Sequence, residues 1–455
     1  MNFDVVIKNG TVVTSEATYQ ADVGIKGEII AAIGQDLQGA RELDATGKLV
    51  IPGAVDVHVH EQMPLPSGVV SADDFFTATR AAAYGGTTTV IDFVQPMGDE
   101  SMLAALAARQ AEAAPKVVID YGLHMTIGPT EITKLDQVAA AYQAGCASFK
   151  LYMAYGLRLT DDQLFQALQA VKTVGGLPVI HAENWDVICT LIAQNLAAGR
   201  NTPAWHPRSR PALLEGEAAG RAIDLATYIE TPLYIFHVGC NETVQRIAAA
   251  RQRGLPIMGE TCPQYLFLTD AAYDQAGITG ALPVCAPPLR SQADQDSIWQ
   301  ALAHNTLQVV STDHCPFVSA DKARGLAAQD FSQIPGGVPS IEMRLAGVYQ
   351  GVRRGHFSLN RWVEVCCTTP ARLFGLTRKG VIGVGYEADV VIFDPEQSKT
   401  LSTQTLHENV DWTPYDGLTL TGWPITTLSR GEVIVAEGQF VAHAGRGRFV
   451  RRTLL

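Results

Sequence analysis

No apolar stretch of this 455-residue chain is long enough to cross a membrane, and the opening MNFDVVIKNG lacks the charged-then-apolar order of a secretion signal. A cytoplasmic location is therefore expected. Basic residues are in deficit, 34 against 46 acidic, and the net charge of −12 argues against nucleic acid or an anionic membrane as partner. No CxxC pair occurs. Cys146, Cys189, Cys240, Cys262, Cys285, Cys315, Cys366 and Cys367 are scattered, which in a long chain without a secretion signal reads as reduced core residues. Internal repeats and low-complexity segments are missing too. Gly85-Gly86 and Gly336-Gly337 lack the strand-loop-helix spacing of a phosphate cradle, so no nucleotide role is expected.

What is present falls into three parts. Residues 1–52 read as short alternating strands broken at Asn9-Gly10, Lys26-Gly27 and Thr46-Gly47, the pattern of an antiparallel array. From 53 to 377, β-branched runs such as TTTVIDF, CASFKLYM, LPVIHAE, LPIMGETC and LQVVSTDH alternate with Ala-rich helical stretches such as MLAALAARQAEAA. That alternation implies an α/β fold with a parallel sheet, and polar residues closing so many strands imply closure into a (β/α)8 TIM barrel. Residues 378–455 return to strands and carry a terminal extension. The two ends, each too short for a good core, are expected to combine into one β-sandwich.

Polar residues interrupt the ends of five apolar runs: His58 and His60 in DVHVH, Lys150 in SFKLYMAY, His181 in PVIHAE, His237 in YIFHVG and Asp313 in VVSTDHCPF. In a β/α barrel those strand ends form the active-site face. A lone His there is more often a hydrogen-bonded structural residue than a ligand; Asp313 could cap a following helix, but its place after the apolar strand NTLQVVSTDH fits a ligand and proton acceptor better. The pair His58 and His60 says more, because residues two apart on a strand face the same side and can reach one ion. Imidazole and carboxylate suit zinc and its neighbours. Lys150 is the odd member: a buried charged amine is costly, whereas a neutral one beside cations can take up carbon dioxide and become a bridging carbamate. Cys315, two residues past Asp313, reads either as a packing residue or as a neighbour of the metal ligands.

At PGAVDVHVH, ADDFFTATRAAAYGGTTTVIDF, SFKLYMAY, HPRSRPALLEGEA, GETCPQYLFL, CAPPLR, STDHCPF and TPARLFGL, in that order, the chain resembles the hydantoinase/dihydropyrimidinase family of cyclic amidohydrolases. The resemblance implies two zinc ions per subunit, one held by His58, His60, Lys150 and Asp313 and the other by Lys150, His181 and His237, bridged by carboxylated Lys150. It also implies a homotetramer. The implied reaction opens a cyclic amide, a dihydropyrimidine or a 5-substituted hydantoin, to an N-carbamoyl amino acid. A hydroxide between the zinc ions attacks, with Asp313 as proton acceptor and donor.

By the same resemblance Tyr155 stabilises the oxyanion, and the peptide groups at Ala286 and Gly336 pair with the amide edge of the ring. The commoner family pattern has Ser and Asn at those two positions, a departure that leaves the backbone groups in place and bears on edge geometry and substrate preference. Leu65, Tyr152 and Leu159 match positions that line the pocket for the exocyclic substituent; ordinary packing is the competing reading. A dihydroorotase would commonly carry Arg where Gln62 stands, for the substrate carboxylate. An allantoinase is harder to separate, although the MPLPSGVVSADDF loop looks more like hydantoinase. A non-catalytic assembly protein of this fold would have lost ligands that are all present here.

Overall fold

The computed structural model describes residues 3–454. Five strands come first: β1 (Phe3–Val13), β2 (Thr18–Lys26), β3 (Ile29–Gly34), β4 (Gly39–Asp44) and β5 (Leu49–Pro52). The chain then enters β6 (Ala54–Asp56), β7 (Thr87–Val94), β8 (Asp120–Thr126), β9 (Ser148–Tyr152), β10 (Leu177–His181), β11 (Leu233–Ile235), β12 (Ile257–Thr261) and β13 (Val309–Val310). These eight pair in chain order, every neighbour parallel, with helix in each connection. Every residue of β7, β8 and β10 is buried, so their polar members, among them Asp92, Asp120 and His124, lie inside the fold with the apolar ones. Several surrounding helices start at side-chain caps. Asp74 accepts from the Phe76 and Thr77 amides to open Phe75–Tyr84, whose buried Ala78, Ala81, Ala82 and Ala83 let the helix pack closely.

Beyond the barrel the chain adds β14 (Val390–Thr400), β15 (Thr419–Ser429), β16 (Glu432–Ala436) and β17 (Gln439–Phe440). β14 pairs antiparallel with β5, so strands from both chain ends form one nine-stranded sheet, ordered β17-β16-β15-β14-β5-β1-β2-β3 with β4 beside β1. The sheet curls on itself. Val23, Ile25, Ile30, Val390, Leu428 and Val433 share one apolar cluster, and the β15–β16 turn comes so close to the β2–β3 turn that a Cβ at Gly431 would meet the Gly27 carbonyl at 2.2 Å. The barrel and the β-unit drawn from both ends are thus as expected.

The barrel seam lies between β6 and β13, both very short. It is closed by a bridge between Val59 and His314, by Asp56 accepting from the Thr312 amide and hydroxyl, and by the fully buried Arg344. Arg344 donates to the carbonyls of Val55 and Val310, one on each side of the seam, at 3.0 and 2.9 Å, and lies 3.6 Å from Asp56. Removing one partner of a buried charge pair costs about 3–5 kcal/mol, so Arg344→Met is expected to lower the thermal unfolding midpoint markedly. An unchanged midpoint would mean that the seam is held elsewhere.

After β17 the chain runs back beneath the barrel. Val450 donates to Tyr121 O and Tyr121 to Arg448 O, tying this segment to β8, while Val450 and Leu454 pack against the cluster of Val57, Ile91, Phe236 and Phe374.

Candidate metal centre

His58 and His60 follow β6, Lys150 lies within β9, His181 ends β10, His237 lies two residues past β11, and Asp313 lies three past β13. All but Lys150, which is the middle residue of β9, therefore sit at the carboxyl ends of the strands or just beyond. The Nε2 atoms of His58 and His60 each lie 3.1 Å from Asp313 Oδ1, and the three residues offer ligand atoms within 4.8 Å of one another. The rings of His181 and His237 are 4.5 Å apart, and His237 is 5.4 Å from His58, which joins the two groups. Lys150 Nζ lies 4.1, 4.7 and 5.5 Å from the ring centroids of Phe236, Tyr152 and Phe93. His237 and Asp313 have φ of 40° and 49°, and nearby Tyr155 has 67°. Left-handed backbone at non-glycine residues costs of order 1–3 kcal/mol and gathers at functional sites.

Two histidines are aimed by carboxylates. Glu260 Oε1 lies 2.6 Å from His58 Nδ1, its other oxygen accepting from the Tyr234 hydroxyl at 2.8 Å, which turns Nε2 toward Asp313. Glu183 lies 2.7 Å from His181 Nε2 and accepts from Arg210 at 2.6 Å, leaving Nδ1 free to turn elsewhere. Such pairing fixes tautomer and ring orientation in metal sites. His58 Nε2, His60 Nδ1 and His237 Nδ1 are buried without a hydrogen-bond partner among the described residues. Unsatisfied buried polar atoms are costly, and His58 Nε2, orphaned 3.1 Å from the Asp313 carboxylate, fits a divalent cation.

Charge states agree with that donor set. Burial pushes the imidazolium forms of His60, His181 and His237 down, which favours neutral, ligating rings. His58 moves the other way: burial opposes its charge, but Asp313 and Glu260 outweigh it. Burial would raise Asp313, yet the neighbouring His58 and His60 hold its carboxyl well below the usual range. Lys150 is pulled down to about 7 by burial, so a neutral amine is accessible near neutral pH.

Tyr155 stands beside the cluster, its ring 5.2 Å from His181 and 5.0 Å from Trp185, with the Arg210 guanidinium 5.4 Å away. Burial pushes its phenol up, so it stays a hydrogen-bond donor. Ala286 and Gly336 adjoin: a Cβ built on Gly336 would lie 3.9 Å from the Ala286 amide nitrogen. Tyr152 overlies Lys150. Leu65 is half-buried against Val69, Cys315 and Phe317, whereas Leu159 belongs to the main core. Cys315 packs in that same small cluster, and burial keeps its thiol protonated. Glu260, Glu183 and Arg210 were missed in the sequence, although Glu260 ends the run LPIMGE with the same polar punctuation as the histidines.

A parallel β/α barrel whose strand ends gather imidazoles, a lysine and a carboxylate has the form of an amidohydrolase, and the Amidohydrolase family profile matches residues 49–434. A D-hydantoinase of Streptomyces coelicolor is 42% identical across 99% of this chain and 98% of its own. Among solved structures, the D-hydantoinase of a Bacillus sp. AR9 superposes with a TM-score of 0.96 at 46% identity, covering 99% of this chain and 100% of the other. The dihydropyrimidinase of Brevibacillus agri gives 0.95 at 45%, covering 98% of each. The chain belongs to the hydantoinase/dihydropyrimidinase family of cyclic amidohydrolases.

Proposed function

We propose that the protein hydrolyses the ring amide of dihydropyrimidines or 5-substituted hydantoins to N-carbamoyl amino acids, at a centre built for two zinc ions. His58, His60, Asp313 and carboxylated Lys150 would hold one ion, and Lys150, His181 and His237 the other. The observation that carries this reading is the convergence of His58, His60 and Asp313 beside a buried lysine whose amine is readily neutral. When bound, the ions would supply a water deprotonated at neutral pH and Lewis acidity at the ring carbonyl.

The chain's own groups supply the rest. The neutral Lys150 amine adds to carbon dioxide, forming an N–C bond and losing a proton, which gives the anion that two adjacent cations need. Asp313 takes a proton from the attacking water and hands it to the ring nitrogen as the C–N bond breaks. Tyr155 donates to the oxygen on which negative charge develops. The peptide groups at Ala286 and Gly336 face the planar amide edge, and Leu65, Tyr152 and Leu159 take the exocyclic substituent. A cytoplasmic homotetramer is part of the same reading.

Dihydroorotate would bring a carboxylate into this pocket, where an anion desolvated without a partner costs several kcal/mol. Gln62 offers no charge, and its amide is engaged with Glu112 and Lys116, both at 2.6 Å. On zinc-reconstituted protein, dihydrouracil or hydantoins with apolar 5-substituents are expected to be opened and dihydroorotate hardly at all. Allantoin in the same panel separates the remaining reading. Leu65→Ala or Leu159→Ala is expected to shift the preference among 5-substituents. A specificity constant for dihydroorotate above that for every neutral ring would overturn the assignment.

A further inference from the structure

Beneath the metal ligands lies a polar chain that the mechanism does not use. Ser148 lies on β9 two residues before Lys150, and its hydroxyl is 2.6 Å from His124 Nδ1. His124 Nε2 lies 2.8 Å from the carbonyl of Val57, the residue before His58. Above, His124 stacks on Phe93 at 4.9 Å, and Phe93 stacks on His60 at 4.5 Å with the planes 13° apart. One buried imidazole thus touches the backbone that carries His58, the ring beneath His60 and the strand that carries Lys150.

The direction of this chain follows from its ends. A carbonyl only accepts, so His124 Nε2 bears the proton, and in a neutral ring Nδ1 then accepts from the Ser148 hydroxyl. Burial keeps His124 neutral. Ser148 Oγ in turn accepts from Arg452 Nη1 at 2.9 Å, and a guanidinium only donates. Arg452 comes from the segment after β17, is 1% exposed, and also donates to the carbonyls of Leu123 and Phe374. The barrel interior makes room for it. Gly122 shares a side of β8 with His124, and a Cβ there would meet Arg452 Nε at 2.8 Å.

We propose that Arg452 is a positioning residue for the metal centre, acting from the far end of the barrel through Ser148 and His124 on the backbone and rings that hold His58, His60 and Lys150. The proposal rests on the reading of those residues as zinc ligands. Residues behind metal ligands typically govern affinity by about 10–100-fold.

The test is zinc release from the reconstituted protein to a chromogenic chelator, followed beside thermal unfolding. Ser148→Ala leaves the bonds of Arg452 to Leu123 and Phe374 in place and breaks only the relay; it and Arg452→Met are expected to speed release by about tenfold or more. Arg451→Ala is the control, since the exposed Arg451 anchors the same segment to Gln143 O without entering the relay; its release rate is expected to match wild type. Equal release from Ser148→Ala and wild type would overturn the proposal even if Arg452→Met fails to fold. Equally fast release from Arg451→Ala would also overturn it, assigning the effect to docking of the segment as a whole. A wild-type protein that takes up no zinc would instead refute the metal reading itself.

Discussion

Lys150→Ala is expected to leave a folded protein that retains one metal ion or none and loses nearly all ring-opening activity, by about 10³-fold or more. The reason is electrostatic. Two divalent cations sharing this site would repel strongly, and of the six proposed ligands, three rings of which are pushed toward neutrality by burial, Asp313 alone is a carboxylate. A neutral lysine carries no charge to place between cations; its carbamate does. Folding should survive, because Lys150 is surrounded by the rings of Phe236, Tyr152 and Phe93, and a buried cation there contributes desolvation cost more than cohesion. Metal analysis with activity checks this. Two tightly held ions and near-normal turnover would reject Lys150 as the bridge, and partial rescue by a small carboxylic acid would support it.

Asp313→Asn separates holding metal from moving a proton. The amide keeps an oxygen where Oδ1 now lies 3.1 Å from both imidazole nitrogens, so much of the metal is expected to stay. It cannot accept the proton of the attacking water, and turnover is expected to fall by about 10² or more, the usual share of a positioned general base. Comparable turnover with metal retained would assign that proton to another group. Retained metal also matters in the other direction: if the ions leave together with activity, the variant says nothing specific about proton transfer, and Asp313 is then primarily a ligand.

The barrel and the candidate ligands were legible in the sequence for one reason. A strand buried on both faces is rich in apolar and β-branched residues, so an imidazole, amine or carboxylate closing such a run stands out. The groups that aim those ligands were not legible, because their meaning lies in pairing across distance: Glu260 meets His58 from 202 residues away, and Arg452 meets Ser148 from 304. Nor does residue type reveal that His237 and Asp313 sit on left-handed backbone, which favours glycine and is imposed here by the surrounding fold. Ala286 and Gly336 could be named only by resemblance, since peptide groups leave no mark on side-chain chemistry. Their closeness is a property of two loops meeting in space.

The sheet shared by both chain ends sets a constraint on synthesis. β5 pairs with β1 on one side and with β14 on the other, and about 340 residues separate Pro52 from Val390. At translation rates of ~5–20 residues per second, roughly 20–70 s pass before the second partner of β5 is made. Through that interval the run Leu49–Pro52, every residue of which ends up buried, is an open apolar strand edge on a growing chain. Until Val390–Thr400 is made, that edge is open to pairing with a strand of another chain, which the completed sheet no longer allows.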